Sequence, residues 1–257
     1  MAAEQKLVLI TGANQGIGFE TAKNLILSDN YHVILGSRDP AKGEEAVKTL
    51  EAVPGIKGSV SSIQIDVTDD QSVDDAAAQI KAQYGRLDIL VNNAAMSSMK
   101  HPPSREAMRQ ILDVNVVGAL STTEAFLDLL RNSSEKRLVF VSSSTGSISR
   151  AADPSSPFHI ASATEYRASK AALNMMMVLY MCRLKDEGFK VFGADPGLCA
   201  TNLTGDPESL RRRDAAEPSD GGERVATVVK GERDADVGKV LGFVYLSLYT
   251  TVIEYVV

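Results

Sequence analysis

Short runs rich in Val, Ile and Leu alternate with longer amphipathic stretches along the chain, and this alternation limits the fold more than any other feature. The short runs are 6–11, 32–37, 62–66, 88–92, 137–142 and 190–194. Apolar on both alternating faces, they suit strands that are covered on both sides of a sheet. The stretches between them, 18–28, 40–51, 71–84, 105–130 and 164–187, carry helical periodicity. Strand followed by helix, repeated, requires crossover connections; these are right-handed and give a parallel sheet. The predicted architecture is α/β: one doubly wound domain over residues 1–257, a parallel sheet with helices on both faces. Its ligand crevice should lie beyond the carboxyl ends of the strands.

Composition narrows the function. With 27 Lys+Arg against 33 Asp+Glu the net charge is −6, which disfavours a surface that tracks phosphates, so no nucleic acid is expected. Cys182 and Cys199 form no CxxC, and His32, His101 and His159 stand apart without metal-ligand spacing. No metal site is expected. The two cysteines read as free thiols in a reducing compartment, and the N-terminal residues lead directly into the first apolar run without a signal-peptide pattern. A cytoplasmic protein is the expectation. The polar stretch 205–222, with Arg211-Arg212-Arg213 and Gly221-Gly222, reads as a mobile lid. Residues 241–257 are atypically apolar, with Glu254 the single charge. They read as a final strand plus an oligomer contact; a tail anchor and an altered terminus are the alternatives. Ser247, Thr250, Thr251 and Glu254 count against a membrane span.

Directly after the first strand comes Thr11-Gly12-Ala13-Asn14-Gln15-Gly16-Ile17-Gly18, opening the first helix. Glycines here permit a tight turn and let the backbone approach a pyrophosphate held at the helix N-terminus. In the first βα turn of an alternating chain, this makes the domain a dinucleotide-binding Rossmann type. An NAD-preferring site usually places an acidic side chain at the end of the second strand. Here Ser37 ends that strand and Arg38 follows, a cation suited to a 2′-phosphate. NADP(H) is therefore the expected cofactor and NAD(H) the second choice, in which Asp39 takes the ribose and Arg38 is a surface arginine. Gln15 supplies no second cation.

Tyr166-Arg167-Ala168-Ser169-Lys170 starts the last long helical stretch, and the i, i+4 spacing puts Tyr166 and Lys170 on one face. An ammonium beside a phenol favours phenolate, so the spacing predicts a depressed tyrosine pKa and proton exchange with a substrate oxygen. With these residues in view, the chain resembles the short-chain dehydrogenase/reductase family over residues 6–204. The resemblance runs through Thr11–Gly18, Asp66-Val67, Asn92–Ala95 (NNAA), Asn115, Val141–Gly146 (VSSSTG), Tyr166–Lys170 and Pro196–Thr201 (PGLCAT), in the family's order. Gly36-Ser37-Arg38-Asp39 is similar to NADPH-dependent carbonyl reductases.

The resemblance implies hydride transfer between nicotinamide and a ketone or aldehyde, with a small-molecule carbonyl as substrate and a homodimer or homotetramer as the assembly. It implies Tyr166 as acid/base, Lys170 on the nicotinamide ribose, Ser143 on the carbonyl oxygen and Asn115 holding a relay water. It places Gly12, Asn14, Gln15, Gly16, Ile17 and Gly18 on the pyrophosphate side, and Asp66 and Val67 at the adenine. Asn92 and Ala94 would flank the cofactor, as would Pro196 and Gly197, with Thr201 at the carboxamide. Ser143 is selected over Ser142 and Ser144 by the VSSxxG register and by alternation. Two departures stand out: Ala95 replaces a glycine, and 22 residues separate Ser143 from Tyr166, more than many relatives carry. The run Met175-Met176-Met177 reads as core or intersubunit helix packing. The rival readings are a cofactor-binding regulatory or scaffold protein without turnover and an epimerase or dehydratase acting on nucleotide sugars.

Overall fold

The strand nearest the N-terminus, β1 (Lys6–Thr11), is buried on both faces: Leu7 and Leu9 enter one apolar cluster, Val8 and Ile10 another. Everything else is arranged around that division. The computed structural model describes residues 5–28, 30–99, 101–246 and 249–255, with side chains as far as residue 242. After β1 come α1 (Gly16–Ser28), β2 (Tyr31–Ser37), α2 (Pro40–Glu51), β3 (Ser59–Gln64), α3 (Asp70–Tyr84) and β4 (Ile89–Asn92). Then follow α4 (Arg105–Leu112), a π-helical turn (Asp113–Val117), α5 (Gly118–Arg131), β5 (Arg137–Val141), α6 (Ile148–Ala152), α7 (Thr164–Leu184) and β6 (Lys190–Asp195). The chain ends through α8 (Pro207–Arg211), α9 (Pro218–Lys230), β7 (Val240–Leu246) and β8 (Tyr249–Tyr255).

Among the described residues the strands form one sheet of order β3-β2-β1-β4-β5-β6-β7-β8. Pairing is parallel from β3 to β7 and antiparallel between β7 and β8. One cluster packs α3, α5 and α7 on one face, through Phe126, Leu130, Leu173 and Met177. The other packs α1, α2 and α9 on the opposite face, through Leu25, Ile26, Leu50 and Val225. Each such side chain, fully withdrawn from water, stabilises the fold by roughly 1.5–3 kcal/mol before entropy is counted. The order reverses between β1 and β4, so a crevice opens there at the carboxyl ends of the strands.

The doubly wound α/β architecture predicted from the alternation is the one observed. Its boundaries differ in instructive places. Strand β3 lies N-terminal to the predicted 62–66 because Ser59, Ser61 and Ser62 pair with β2 at the sheet edge, where a strand need not be apolar. The predicted helix 105–130 is broken by the π-helical turn into α4 and α5. The 205–222 stretch is not an uninterrupted surface segment. It holds α8 and the start of α9, with Gly221 and Gly222 buried against α1. Two strands rather than one occupy the C-terminal segment. No helix among the described residues is long and apolar enough to cross a membrane.

Candidate active site

A cavity of about 720 Å³ lies at the switch point, walled by the β1–α1 turn, the ends of β4 and β5, α7 and the segment after β6. The β1–α1 turn contributes Gly12, Asn14, Gln15, Gly16 and Ile17. Gly12 has φ +63°, and a Cβ there would stand 2.9 Å from the Ala94 Cα. Both the left-handed backbone and the close approach require glycine. Asn93 braces the turn, its Nδ2 donating to the Thr11 carbonyl at 2.8 Å and the Gly12 carbonyl at 3.2 Å. Gly18 is buried and does not line the cavity; its Cα packs where a Cβ would meet Asn93 and Ala13. Asp66, Val67 and Arg38 line the far end.

The residues after β2 divide their tasks. Asp39 caps α2, its Oδ1 accepting from Ala41 N at 3.0 Å and Lys42 N at 3.4 Å, and Ser37 Oγ donates to the Asp39 carbonyl at 2.7 Å. Arg38 is exposed on the cavity wall, with no hydrogen-bond or ionic partner among the described residues.

At the other end, α7 turns one stripe of side chains toward the end of β5. Tyr166 is half-buried on the cavity wall, and Lys170 is buried beneath it with Nζ 5.5 Å from the tyrosine ring centre. Lys170 Nζ donates to the Val141 carbonyl at 2.8 Å. Burial pushes the Lys170 pKa down to about 8, opposed by the Asp195 carboxylate. Burial also pushes the Tyr166 phenol above the ordinary tyrosine range, and Asp195 and Cys199 push it the same way. The depressed phenol pKa predicted from the Tyr–Lys spacing is therefore corrected. Withdrawal from water governs the phenol here and holds it protonated.

One turn beyond Lys170, Asn174 continues the stripe. Its Oδ1 accepts from Ser142 Oγ at 2.5 Å, and its Nδ2 donates to the Ser143 carbonyl at 3.4 Å. Ser142 thus lines the cavity with its hydroxyl already committed. Ser143 lies just off the wall; its Oγ accepts from Thr145 N at 3.2 Å and Thr145 Oγ1 at 2.9 Å, leaving its own proton without an acceptor among the described residues. Asn174 was open to discovery in the sequence, since it stands four residues from Lys170 as Lys170 does from Tyr166.

Asn115 sits buried in the π-helical turn. Its Oδ1 accepts from Met96 N at 2.7 Å, and its Nδ2 donates to the Met96 carbonyl and to Ser169 Oγ, both at 2.9 Å. Its side chain therefore clamps the loop after β4 against α7. A π-turn in an otherwise α-helical run is a recurrent mark of functional sites. Buried Glu165 fixes the same loop further on, its Oε1 accepting from Ser104 N at 2.7 Å. Asn92, read from the sequence as flanking the cofactor, turns away to Thr123 Oγ1 at 2.9 Å; the loop that follows β4 supplies the wall instead, from Asn93 and Ala94 onward. Pro196 and Thr201 are on the wall, whereas Gly197 shapes the turn behind it with φ +80°. Ala95 of the NNAA motif lines the cavity too, as do Met96, Leu203 and Arg211, at positions that no motif marked. Among the described residues no group of three His, Cys, Asp or Glu side chains could hold a metal ion.

The short chain dehydrogenase family model matches residues 6–210. Short-chain dehydrogenase/reductase tropE of Talaromyces stipitatus is 39% identical over 93% of this chain and 96% of its own length. Short-chain dehydrogenase/reductase eupG of Phoma sp is 37% identical over 91% and 93%. Among solved structures, NADPH-bound carbonyl reductase from chicken fatty liver superposes with TM-score 0.79 at 24% identity, covering 92% of this chain and 91% of that one. An alcohol dehydrogenase from Thermococcus sibiricus complexed with 5-hydroxy-NADP gives 0.75 at 24% identity, over 88% and 91%. At that identity the structures speak for the fold, while the family model and the fungal relatives speak for descent. The chain belongs to the short-chain dehydrogenase family.

Proposed function

We propose that this protein is an NADPH-dependent reductase of ketones or aldehydes that in reverse oxidises the alcohol with NADP+ as hydride acceptor, with Tyr166 as the acid/base. One observation carries the reading: the Tyr166 phenol stands on the cavity wall with the buried Lys170 Nζ 5.5 Å from its ring centre. The residues present fit a dinucleotide. Gly12 and Gly16 leave a cradle at the start of α1 that faces Thr201, since a Cβ on Gly16 would find only Thr201 within 4 Å. When bound, the nicotinamide supplies the hydride. Lys170 retains donors for a ribose beyond the one spent on Val141. Ser143 offers its free proton to the carbonyl oxygen, and Tyr166 delivers its phenolic proton to that oxygen as the C–H bond forms. Positioning and polarisation of that oxygen lower the barrier.

The choice of NADPH rests on the division of labour after β2. Asp39 is held as a helix cap, which removes the acidic partner an NAD ribose would need, and Arg38 stands unpaired on the wall. The substrate partner in this reading is a small carbonyl compound. The assembly is a homo-oligomer through the outer faces of α5 and α7, which expose Leu120, Met175 and Leu179. A cytoplasmic setting goes with the free thiols Cys182 and Cys199.

The test is NADPH oxidation with a panel of activated ketones. Turnover is expected for the natural sequence and loss of about 10²–10⁴-fold in Tyr166→Phe, the range of a general acid, with NADPH binding retained. Arg38→Ala should weaken NADPH by about tenfold or more, as loss of a charged hydrogen bond predicts, and leave NADH unchanged. Binding of NADPH without turnover across the panel would replace this reading with a cofactor-binding regulatory protein. Equal losses for the two nucleotides in Arg38→Ala would remove the NADP assignment.

A further inference from the structure

Asp195 closes β6 and is buried, yet the chemistry above gives it no task. Its two oxygens take different partners. Oδ2 accepts from the Ser144 backbone N–H at 2.7 Å, and Oδ1 accepts from the Gly197 N–H at 2.8 Å. The first bond extends a ladder beyond the point where the backbone ends it. Ser142 N–H donates to the Ala194 carbonyl at 2.8 Å, and two residues later the Asp195 side chain receives the next N–H. Ser143 is thus bracketed on both sides by bonds to the end of β6. The second bond holds Gly197 in its left-handed turn, which opens the segment leading to Thr201. Arg224 supports the same turn from α9, its Nη1 donating to the Pro196 carbonyl at 2.6 Å.

Two N–H donors converging on one side chain suit an ionised carboxylate and no neutral amide, which would turn an NH₂ toward one of them. A buried carboxylate needs compensating charge as well as hydrogen bonds. The titratable groups that feel its charge are Lys170 and Tyr166 on α7 and Cys199 in the loop, while Arg224 of α9 reaches the same turn through the Pro196 carbonyl. Of these Lys170 is the buried cation. The Asp195 charge supports the lysine's protonated form against burial and disfavours phenolate at Tyr166.

We propose that Asp195 is a positioning residue of the reaction, whose single carboxylate fixes the Ser143 turn to the Gly197 turn and supplies the countercharge to the buried Lys170 ammonium. The proposal rests on the reading of Tyr166 and Lys170 as the acid/base pair, so its test includes a readout that does not need turnover. Side-chain NMR of the full chain labelled with ¹⁵N-lysine follows Lys170 through pH, its signal assigned by its loss in K170R. In D195N the Lys170 midpoint should fall by about half a unit or more, about threefold in the ionisation constant. The alkaline limb of the reduction profile should move down with it. D195E restores the charge, so the midpoint should return toward that of the natural sequence while kcat stays low, because the longer side chain displaces Ser144 and Gly197. D195S replaces D195N if the latter does not fold. A Lys170 midpoint unchanged in D195N or D195S overturns the countercharge; a kcat in D195E equal to that of the natural sequence overturns the positioning role. If no form of the protein reduces a carbonyl, the proposed function fails separately, and the Lys170 midpoints still decide the role of Asp195.

Discussion

Lys170 meets two opposing demands, and the balance between them has a measurable consequence. Withdrawal from water favours the neutral amine, whereas Asp195 and the Val141 carbonyl favour the ammonium; burial is the larger effect and leaves the pKa at about 8. An unfolded lysine titrates near 10.4. Between those two values the unfolded chain holds a proton that the folded chain has released, so folding stability rises with pH across that window. Relative to Lys170→Met, the natural protein should therefore gain about 3 kcal/mol of unfolding free energy as pH rises from 8 to 10.5, at about 1.4 kcal/mol per pKa unit. Urea unfolding of both proteins at the two pH values measures it. A difference between the two proteins that does not change with pH would show that Lys170 titrates as an exposed lysine. The ammonium itself is present below about pH 8, so carbonyl reduction should fall as pH rises through that value.

At the scale of elements, the contact between α1 and α9 controls the shape of the cavity. A Cβ on Gly222 would lie 2.4 Å from the Glu20 Cβ and 2.7 Å from its carbonyl carbon, closer than any real contact, and Thr21 Oγ1 donates to the Gly222 carbonyl at 3.3 Å. Alanine is favoured over glycine inside a helix by about 1 kcal/mol, but here the backbone of α1 blocks the methyl and the helices must separate. Gly222→Ala should destabilise by roughly 1–3 kcal/mol, as overpacking does, seen as a lower melting temperature. NADPH affinity should fall with it, because Ile17 and Pro218 of these two helices line the cavity. An unchanged melting temperature would show that the contact is slack. The same glycine pair marks where the sequence was hard to read. Ser219-Asp220-Gly221-Gly222 has the composition of a turn; Pro218 and the Asp220 carboxylate on the Glu217 N–H start a helix there, and the packing partner that makes it a buried face lies far away in the chain. Likewise no local signal distinguishes the π-turn around Asn115 from continuous helix. The buried strands and the Tyr166–Lys170 stripe were legible because periodicity alone positions them. Asn174 shares that stripe by spacing, but Asp195 acts through hydrogen bonds between chain segments that no spacing encodes, and the phenol pKa depends on burial, which spacing does not report.

Across the whole molecule, stability and chemistry are assigned to opposite ends of the sheet. Arg137 begins β5 and is buried, whereas Val141 at the other end of the strand meets Lys170. Arg137 pairs with Glu135 and Asp234, both at 2.8 Å, donates to the Val228 carbonyl at 3.0 Å, and lies 5.3 Å from the Phe192 ring centre. Lys6 and Lys190 complete the network, on Glu135 at 3.1 Å and Asp234 at 2.7 Å. One side chain thereby joins the starts of β1, β5 and β6 to the segment after α9. Removing one partner from a buried ionic network costs about 3–5 kcal/mol, whereas an apolar replacement of similar volume costs far less. Arg137→Ala should therefore destabilise strongly and Arg137→Met mildly. Both folded variants should bind NADPH as the natural protein does, because β5 reaches the cavity only at its far end, through Val141 and the following Ser142. Denaturant unfolding alongside NADPH titration separates the two quantities. If Arg137→Met weakened NADPH as much as it lowered stability, the ends of the sheet would be coupled, and the network would belong to the machinery of the site as well as to the scaffold.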